Sequence, residues 1–391
     1  MDNSMRKIAV FTGTRAEYGL LYWIIKSLNE SVNVDLQLFV GGMHMSPEFG
    51  YTIEQIEADG FPIAERMEFL LSSDSPVGIS KSMGLALINA AEAIERQKPD
   101  LIVLLGDRFE SMAIAQAAMI ACVPVAHIHG GETTEGLIDE AVRHSITKMS
   151  HLHFAATEQY KRRIIQLGEQ PERVFNFGAP GIDSIVKLKL IELDELPSAI
   201  NFELNKPYIM VTYHPVTLES DGASSSLINL LNVLDEYPEH QLIITYPNAD
   251  TNGRKLIKIL DEYKTLNHSR VLLVQSLGQL RYLSLMKYCE VVIGNSSSGL
   301  IETPSFKVPT VNIGNRQKGR IGGDTVLNCD ESVDLIRNSL EKALSQKFKL
   351  FCQSTVNPYG QGDSSTRIVE QLINYPLNKI INKKFNDLED I

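Results

Sequence analysis

The chain has 391 residues, of which 43% are hydrophobic and 22% are charged, and its formal net charge is −11. This length exceeds one ordinary core and indicates two globular domains, while the negative charge argues against nonspecific binding of nucleic acid. The four cysteines form no CxxC pair and no apolar stretch is long enough to span a membrane, so we expect a disulfide-free protein of the reducing cytoplasm.

Strands and helices alternate along the first half of the chain. The pattern predicts strands at 7–12, 34–40, 101–105, 124–128, 152–156 and 174–177, and helices at 15–29, 78–97, 109–122 and 137–150. The run 101–105 contains only leucine, isoleucine and valine, which is typical of a central strand buried on both faces of a parallel sheet.

The second half repeats this alternation. Strands are predicted at 208–213, 241–246, 271–275, 291–293 and 310–313, and helices at 225–234, 253–263, 278–287 and 299–306. The fold class is therefore α/β, with two Rossmann-like doubly wound domains, and ligands are expected beyond the carboxyl ends of the strands, in a cleft between the domains. We place an N-terminal domain at 1–187, a weakly periodic linker near 188–206 and a C-terminal domain at 205–365. A final segment at 366–391, helical to about residue 383, is expected to pack back on the N-terminal domain.

Two strand ends in the N-terminal domain carry candidate binding residues. Gly-Thr-Arg-Ala-Glu at 13–17 opens a helix, where free backbone N–H groups and the forked guanidinium of Arg15 suit a phosphate. Arg15 could instead be a surface side chain paired with Glu17. Asp107 directly follows strand 101–105, where a carboxylate is costly unless it is paired or used, although it could simply cap the next helix.

The next strand ends in HIHGGE at 127–132, and an acidic helix start follows it. Glu132 and Asp139 would add carboxylates near Asp107, and neighbouring carboxylates acquire different pKa values, which creates separate acid and base roles. Asp139 could instead form a solvated i,i+4 pair with Arg143, but we favour the site role for it.

The histidines of this region have other possible roles. His144 could form an i,i+4 pair with Glu140, and for Glu140 we prefer this solvated pair. The sequences HIH at 127–129 and HLH at 151–153 could each present two imidazoles to a metal ion, since alternate strand residues share a face. A clear third ligand is missing from the pattern, which argues against a metal site.

The C-terminal domain contains a second polar constellation. The strand at 291–293 ends in GNSSSG, where Ser296 and Ser297 open a helix and could cradle a phosphate. Glu302 on the following helix could accept hydrogen bonds from both hydroxyls of a ribose. Ser296 could also be only the cap of that helix. Polar residues at three further strand ends of this domain are His214, Asn248 and Arg316.

Together these motifs resemble those of the hydrolysing UDP-N-acetylglucosamine 2-epimerases of sialic-acid and legionaminic-acid synthesis. The matching segments are GTRAEY at 13–18, GDR at 106–108, HIHGGE at 127–132, IDEAVRHSITKMSHLHF at 138–154, HPVT at 214–217, PNAD at 247–250, GNSSSG at 294–299 and NIGNRQKGR at 312–320. They cover nearly the whole chain in the family's order. The resemblance implies the GT-B fold, a UDP-sugar substrate, no cofactor, no metal, and a homodimer or homotetramer.

Carried over by position, the resemblance assigns three groups of residues. The predicted UDP-binding residues are Arg15, His214, Asn248, Ser296, Ser297, Glu302 and Arg316. The predicted catalytic residues are Asp107, Glu132, Asp139 and His129, and the predicted sugar-binding residues are Arg108 and His144. Many relatives have a glutamate where this chain has His129, so the identity of the base stays open.

The chemistry of such a substrate fixes the order of events. The C2 proton of a 2-acetamido sugar is not adjacent to a carbonyl, so UDP must leave before a carboxylate removes that proton to give a 2-acetamidoglucal. Water then adds with C2 inverted.

The alternatives to this function are a GT-B glycosyltransferase using a UDP-sugar, a metal hydrolase using the HIH and HLH pairs, and a noncatalytic nucleotide-sugar sensor. The residues do not decide between N-acetylglucosamine and a 2,4-diacetamido sugar, because the sugar pocket is built by loops such as 65–77. They also do not decide between UDP and GDP.

Overall fold

The structure is a computed structural model that describes residues 5–73, 75–134, 138–214, 222–247, 253–275 and 277–388. The chain divides into two compact units. The N-terminal unit consists of Met1–Ser184 together with Tyr359–Ile391, and the C-terminal unit consists of Ile185–Pro358. Each unit is built around one parallel sheet.

The N-terminal unit contains a seven-stranded sheet in the order β3-β2-β1-β4-β5-β6-β7, and all of its pairings are parallel. Its strands are β1 Arg6–Thr12, β2 Val34–Gly41, β3 Ile63–Met67, β4 Leu101–Leu105, β5 Val125–Ile128, β6 Leu152–Ala155 and β7 Val174–Asn176. Its first helices are α1 Arg15–Asn29, α2 Ile53–Ala58, α3 Pro76–Gln97, α4 Phe109–Ile120, α5 Ile138–Met149, α6 Glu158–Gln166 and α7 Pro180–Lys187. One-turn 3-10 helices lie at Gly42–Met45, Pro47–Phe49 and Pro171–Arg173.

The C-terminal unit contains a six-stranded parallel sheet in the order β10-β9-β8-β11-β12-β13. Its strands are β8 Tyr208–Thr212, β9 Gln241–Thr245, β10 Val271–Val274, β11 Val291–Gly294, β12 Thr310–Ile313 and β13 Val326–Cys329. Its helices are α8 Leu196–Ile200, α9 Gly222–Leu234, α10 Gly253–Leu266, α11 Gly278–Tyr288, α12 Ser298–Ile301, α13 Thr303–Phe306, α14 Val333–Leu344 and α15 Gln346–Ser354.

Strand β1 shows why the central strands are continuous apolar runs. Its side chains alternate between two buried clusters: Ile8 and Val10 pack with residues of α1, whereas Ala9 and Phe11 pack with residues of α3 and α4. Both faces of the sheet are therefore covered, so each position must be apolar. The predicted α/β fold with two doubly wound domains is confirmed.

The strand order indicates where each sheet is expected to bind a ligand. In the N-terminal unit the chain proceeds outward from β1 to β3 and then returns to β4, beside β1. In the C-terminal unit it proceeds from β8 to β10 and returns to β11, beside β8. Ligands of doubly wound sheets bind at the carboxyl ends of strands where the order reverses, which here are the ends of β1, β4, β8 and β11.

Three predicted segments before residue 359 differ from the structure. The predicted loop 65–77 begins inside β3. This edge strand contains Glu65 and Arg66, so its sequence lacks the apolar pattern by which the other strands were predicted. The predicted helix 299–306 is two short helices that break at Glu302, because Pro304 cannot donate a backbone hydrogen bond. The predicted linker 188–206 contains α8, whose buried Leu196 packs in the core of the C-terminal unit.

The end of the chain lies on the N-terminal unit. Helix α16 Ser364–Asn374 packs against α1, and its first backbone N–H groups, of Ser364 and Ser365, donate to the carboxylate of Asp183 at 3.1 and 2.8 Å. The helix stops well before residue 383, because Pro376 disfavours helical backbone at the residue before it. Within the described ranges, we find no helix with the length and apolar composition that a bilayer crossing requires.

Candidate functional site

The turn from β1 into α1 is organised by Thr14 and Glu17. Thr14 caps the helix, its hydroxyl accepting from the backbone N–H of Glu17 at 3.2 Å. The buried carboxylate of Glu17 turns back and accepts from the N–H of Gly13 at 2.9 Å. Arg15, the first residue of α1, is exposed at this edge of the sheet. The turn therefore presents a cation directly after β1, as the sequence predicts.

Asp107 lies after β4 and forms an ion pair with Arg143 of α5. The guanidinium of Arg143 is only 1% exposed and also donates to the backbone oxygen of Glu132 at 3.0 Å and to Glu140 at 3.2 Å. A buried cation needs such partners, because an unpaired charge in the interior is very costly. The alternative that Asp107 caps α4 is wrong: the cap residue is Arg108, and Asp107 is bound to a helix 36 residues away in sequence.

Arg108 belongs to a second charged group at the same edge. Its Nε atom donates to Glu110 at 2.6 Å, and the Glu110 side chain is 1% exposed. Burial, together with the neighbouring Glu110, raises the pKa of Glu17 to about 7, although Arg108 opposes this shift. The predicted sugar-side arginine is thus bound by the buried carboxylate of Glu110 and interacts electrostatically with Glu17, two partners that the sequence analysis did not identify.

His129 and Glu132 form a close pair after β5. The Nδ1 atom of His129 lies 2.6 Å from a carboxylate oxygen of Glu132, and both side chains are largely buried. His129 has a left-handed backbone with φ of 64°, which is uncommon for a residue with a side chain. Gly131 is also left-handed, with φ of 78°, and a Cβ atom there would collide with the backbone oxygen of Tyr160. The HIHGGE motif is therefore a tight turn that holds this pair.

The first turn of α5 carries the remaining acidic candidates. Asp139 is exposed, and its charge acts on Arg108. Glu140 accepts from the backbone N–H of Thr134 at 2.6 Å and from His144 at 3.2 Å. The preferred i,i+4 pair of Glu140 and His144 is confirmed. Arg143 is bound to Asp107 and Glu140, so Asp139 is not needed as its counter-charge.

His144 faces a groove with a different character. The groove has a volume of about 660 Å³ and is lined mainly by apolar side chains of α3, α4 and α5. His144 shares it with Met112, Met119 and Leu167. His144 therefore contacts Glu140 and lines an apolar groove. Its role in binding the sugar stays a prediction.

The other histidines of the two His-x-His sequences are bound by the protein itself. His127 is fully buried, with Nε2 at 2.7 Å from the backbone oxygen of Gly106 and Nδ1 at 3.2 Å from Thr147. Burial lowers the pKa of His127 to about 3. His153 contacts the buried carboxylate of Glu169 at 3.1 Å. In the part of the chain that the structure describes, no three His, Cys, Asp or Glu side chains are grouped so that they could hold a metal ion.

In the C-terminal unit, Asn295 connects the ends of three strands. Its side chain is 1% exposed, accepts from the backbone N–H of His214 at 2.7 Å and donates to the backbone oxygen of the same residue at 2.9 Å. The backbone oxygen of Asn295 accepts from Arg316 at 3.0 Å and from Gln317 at 2.9 Å. Burial and the charge of Arg316 lower the pKa of His214 to about 4. The sequence analysis missed Asn295, although it lies inside the GNSSSG motif.

The serines after β11 lead to Glu302. The hydroxyl of Ser296 accepts from the backbone N–H of Ser298 at 3.4 Å, and the hydroxyl of Ser298 donates to Glu302. Burial raises the pKa of Glu302. The alternative that Ser296 is the helix cap is wrong, since the residue before α12 is Ser297. Asn248 lies outside the described residues.

Residues 26–373 match the family model described as UDP-N-acetylglucosamine 2-epimerase. The chain belongs to the UDP-N-acetylglucosamine 2-epimerase family. The predicted resemblance is therefore confirmed, over nearly the whole chain.

Individual members of the family are similar to this chain over their full lengths. The GDP/UDP-N,N'-diacetylbacillosamine 2-epimerase (hydrolyzing) of Campylobacter jejuni is 39% identical over 386 residues, covering 98% of this chain and 100% of the relative. Polysialic acid biosynthesis protein P7 of Escherichia coli is 38% identical and covers 99% and 98%. The crystal structure of Neisseria meningitidis UDP-GlcNAc 2-epimerase bound to UDP-GlcNAc superimposes with a TM-score of 0.79 at 22% identity, covering 94% and 100%. The GT-B fold of this epimerase family is thus shared by the chain.

Proposed function

We propose that the chain is a hydrolysing 2-epimerase that converts a UDP-2-acetamido sugar into UDP and the free sugar with inverted C2. One observation carries the proposal: paired acid–base side chains end the strands of the N-terminal unit in a chain that matches a hydrolysing 2-epimerase along its whole length. The acidic groups act on the sugar, and the polar groups of the C-terminal unit bind the nucleotide.

Binding of the diphosphate is the first task. Arg316 and the hydroxyls of Ser296 and Ser297 offer donors after β12 and β11, and Arg15 adds a cation after β1. Donors that are already in place stabilise negative charge on a leaving group without reorganisation, which is often the largest contribution to catalysis. Glu302, with one carboxylate oxygen bound to Ser298, would receive the ribose hydroxyls. Asn248 and His214 complete the proposed nucleotide group.

Proton transfer at C2 is the second task. As the bond from C1 to the UDP oxygen breaks, its electron pair leaves with UDP and C1 becomes oxocarbenium-like. A base then takes the C2 proton, whose bonding electrons form the C1–C2 double bond of the glucal. Water adds its oxygen to C1 while an acid returns a proton to the opposite face of C2. Asp107, Glu132, Asp139 and His129 are the candidates, and such groups contribute about 10²–10⁴-fold each.

The identity of the sugar is a separate part of the proposal. The Campylobacter relative is described as acting on N,N'-diacetylbacillosamine nucleotides, and the Escherichia coli relative as a polysialic acid biosynthesis protein. We keep both UDP-N-acetylglucosamine and its 2,4-diacetamido-trideoxy relative as substrates to be tested. Action in the cytoplasm, a homodimer or homotetramer, and catalysis without a cofactor also belong to the proposal.

The direct test is a product assay without any acceptor. The purified chain is incubated with UDP-N-acetylglucosamine and with the UDP-2,4-diacetamido sugar, before and after treatment with a chelator. We expect UDP and a free manno-configured sugar from at least one substrate, at an unchanged rate after chelation. Release of UDP only when an acceptor sugar is added would show a glycosyltransferase instead. Tight binding with no product would show a sensor.

A further inference from the structure

The pair of His129 and Glu132 has the geometry of a base and its positioning residue. We propose that Nε2 of His129 is the base that removes the C2 proton, and that Glu132 holds the imidazole in the form that can do so. This inference rests on the proposed function, and it says which of the candidate groups acts as the base.

The hydrogen bond between the two side chains fixes the tautomer. An ionised carboxylate can only accept, so the contact of 2.6 Å between Glu132 and Nδ1 of His129 requires a proton on Nδ1. The lone pair of a neutral imidazole is then on Nε2. The same arrangement of carboxylate, Nδ1–H and free Nε2 makes histidine the base of the serine hydrolases.

The environment of Nε2 indicates that a ligand belongs there. Among the residues that the structure describes, none forms a hydrogen bond with Nε2, although the atom is buried. A buried polar atom without a protein partner is costly, so a water or a ligand is expected to pair with it. The neighbouring imidazole is different, since both ring nitrogens of His127 have protein partners. His129 is therefore the histidine of this motif that is available for chemistry.

The position of His129 agrees with the edge at which the substrate is expected. Strands β4 and β5 are paired with Leu105 opposite Ile128, and the N–H of Gly106 donates to the oxygen of Ile128 at 3.0 Å. His129 and Asp107 thus follow the ends of two adjacent strands. This is the carboxyl edge of the sheet, close to the reversal of strand order between β1 and β4.

The resting form of the pair suits the first proton transfer. With Nε2 unprotonated, His129 accepts the C2 proton while UDP departs with the electron pair of its bond to C1. The product is an imidazolium, which the carboxylate of Glu132 stabilises at Nδ1. Because C2 is inverted, the later proton arrives at the opposite face of the sugar, so a different acid supplies it during hydration of the glucal. Removal of His129 should therefore affect elimination and spare hydration.

The backbone at this position allows an unusually clean variant. His129 has a φ of 64°, which glycine adopts without strain, so His129→Gly leaves the backbone of the turn undistorted, and urea unfolding checks that the variant is folded. We expect UDP release by this variant to fall about 10²–10⁴-fold. Added imidazole should restore part of the rate in proportion to its concentration. His129→Asn is the matched control, because asparagine also tolerates this backbone but fills the cavity and supplies no base.

The decisive comparison uses the intermediate itself. Wild type and His129→Gly are each supplied with 2-acetamidoglucal and UDP, and formation of the free sugar is followed by NMR. We expect similar hydration rates, alongside the large loss in UDP release from the UDP-sugar. Equal loss in both assays, or UDP release by His129→Gly that is undiminished or not raised by imidazole, would overturn the assignment. A wild type that releases no UDP would instead defeat the proposed function.

Glu132 is tested by a substitution that removes its charge at nearly constant shape. In Glu132→Gln no negative charge stabilises the imidazolium, and the Nδ1–H tautomer is no longer required because the amide can donate to Nδ1 as well as accept from it. We expect kcat to fall at unchanged KM, and Glu132→Asp to recover part of the activity. A rise in KM with kcat preserved would show that Glu132 binds the sugar and does not position His129.

Discussion

The two units of this protein hold their strand-end residues in different ways. In the N-terminal unit charged side chains form ion pairs: Arg143 with Asp107, and Arg108 with Glu110. In the C-terminal unit the buried amide of Asn295 binds main-chain groups, and uncharged hydroxyls follow it. The acid–base pairs of the N-terminal unit can exchange protons, whereas in the C-terminal unit burial lowers the pKa of His214 to about 4 and the amide and hydroxyls are fixed donors and acceptors. The strand-end residues of the N-terminal unit are therefore suited to proton transfer, and those of the C-terminal unit to binding a charged leaving group.

The largest effect is expected where the charge of the N-terminal edge is removed. Asp107→Asn takes the carboxylate from the buried guanidinium of Arg143, and we expect kcat to fall about 10²–10⁴-fold. Affinity for UDP should be nearly unchanged, because all of its proposed ligands except Arg15 are in the other unit. Steady-state kinetics and calorimetric titration with UDP measure the two quantities. The exposed Asp194→Asn is the control, and parallel loss of UDP affinity in Asp107→Asn would contradict the division of tasks.

The backbone of the HIHGGE turn should be nearly as sensitive, through stability. Gly131→Ala places a methyl group against the backbone oxygen of Tyr160 at a φ of 78°. We expect a loss of about 2–5 kcal/mol in the free energy of unfolding, from the left-handed backbone and the overpacking together. Gly60→Ala is a matched control, since Gly60 has a φ of 80° but nothing within 4 Å of the added atom. Urea unfolding of both variants measures the difference, and equal losses would refute the steric argument.

The C-terminal edge should respond in binding. Asn295→Ala leaves the backbone groups of His214 without their partner, at a cost of about 1–3 kcal/mol. We therefore expect UDP to bind about ten- to hundredfold more weakly, with a smaller change in kcat at saturating substrate. Calorimetric titration with UDP tests this, with the exposed Asn338→Ala as control. A variant that bound UDP normally but lost kcat would reverse the roles assigned to the two units.

The smallest effect concerns pH. The pKa of Glu17 is raised from 4.5 to about 7, chiefly by burial and then by Glu110. A folded protein with such a group keeps its proton where the unfolded chain has lost it, so stability is lost as the pH rises from 4.5 through about 7. Glu17→Gln should remove this dependence, and its stability relative to wild type should improve by about 1–3 kcal/mol from pH 5 to pH 8. Urea unfolding at these pH values measures it, and a constant difference would contradict the raised pKa.

The fold could be predicted because its central strands are buried on both faces. Strands such as β4 contain only branched apolar residues, and the alternation with helices then determines a parallel sheet. The edge strand β3 does not follow this pattern, since most of it is only partly buried and it contains Glu65 and Arg66. The break between α12 and α13 could have been found from Pro304, a residue whose missing N–H is visible in the sequence.

The site was predictable as a set of positions but not as a set of partners. Asp107 and His129 were found because they follow strands. The partner of Asp107 was not, since the local pattern offered Arg143 to Asp139 and only folding brings Arg143 to β4. The close contact of His129 with Glu132 depends on left-handed backbone at His129 and Gly131, and only the glycine gives a sign of this in the sequence.

The central claim is that UDP departure and C2 proton removal belong to one reaction. Turnover of the UDP-sugar in D₂O, followed by mass spectrometry and NMR of the released sugar, tests this most directly. We predict one deuterium at C2 of each manno-configured product molecule. A product released with its original C2 hydrogen would contradict the account.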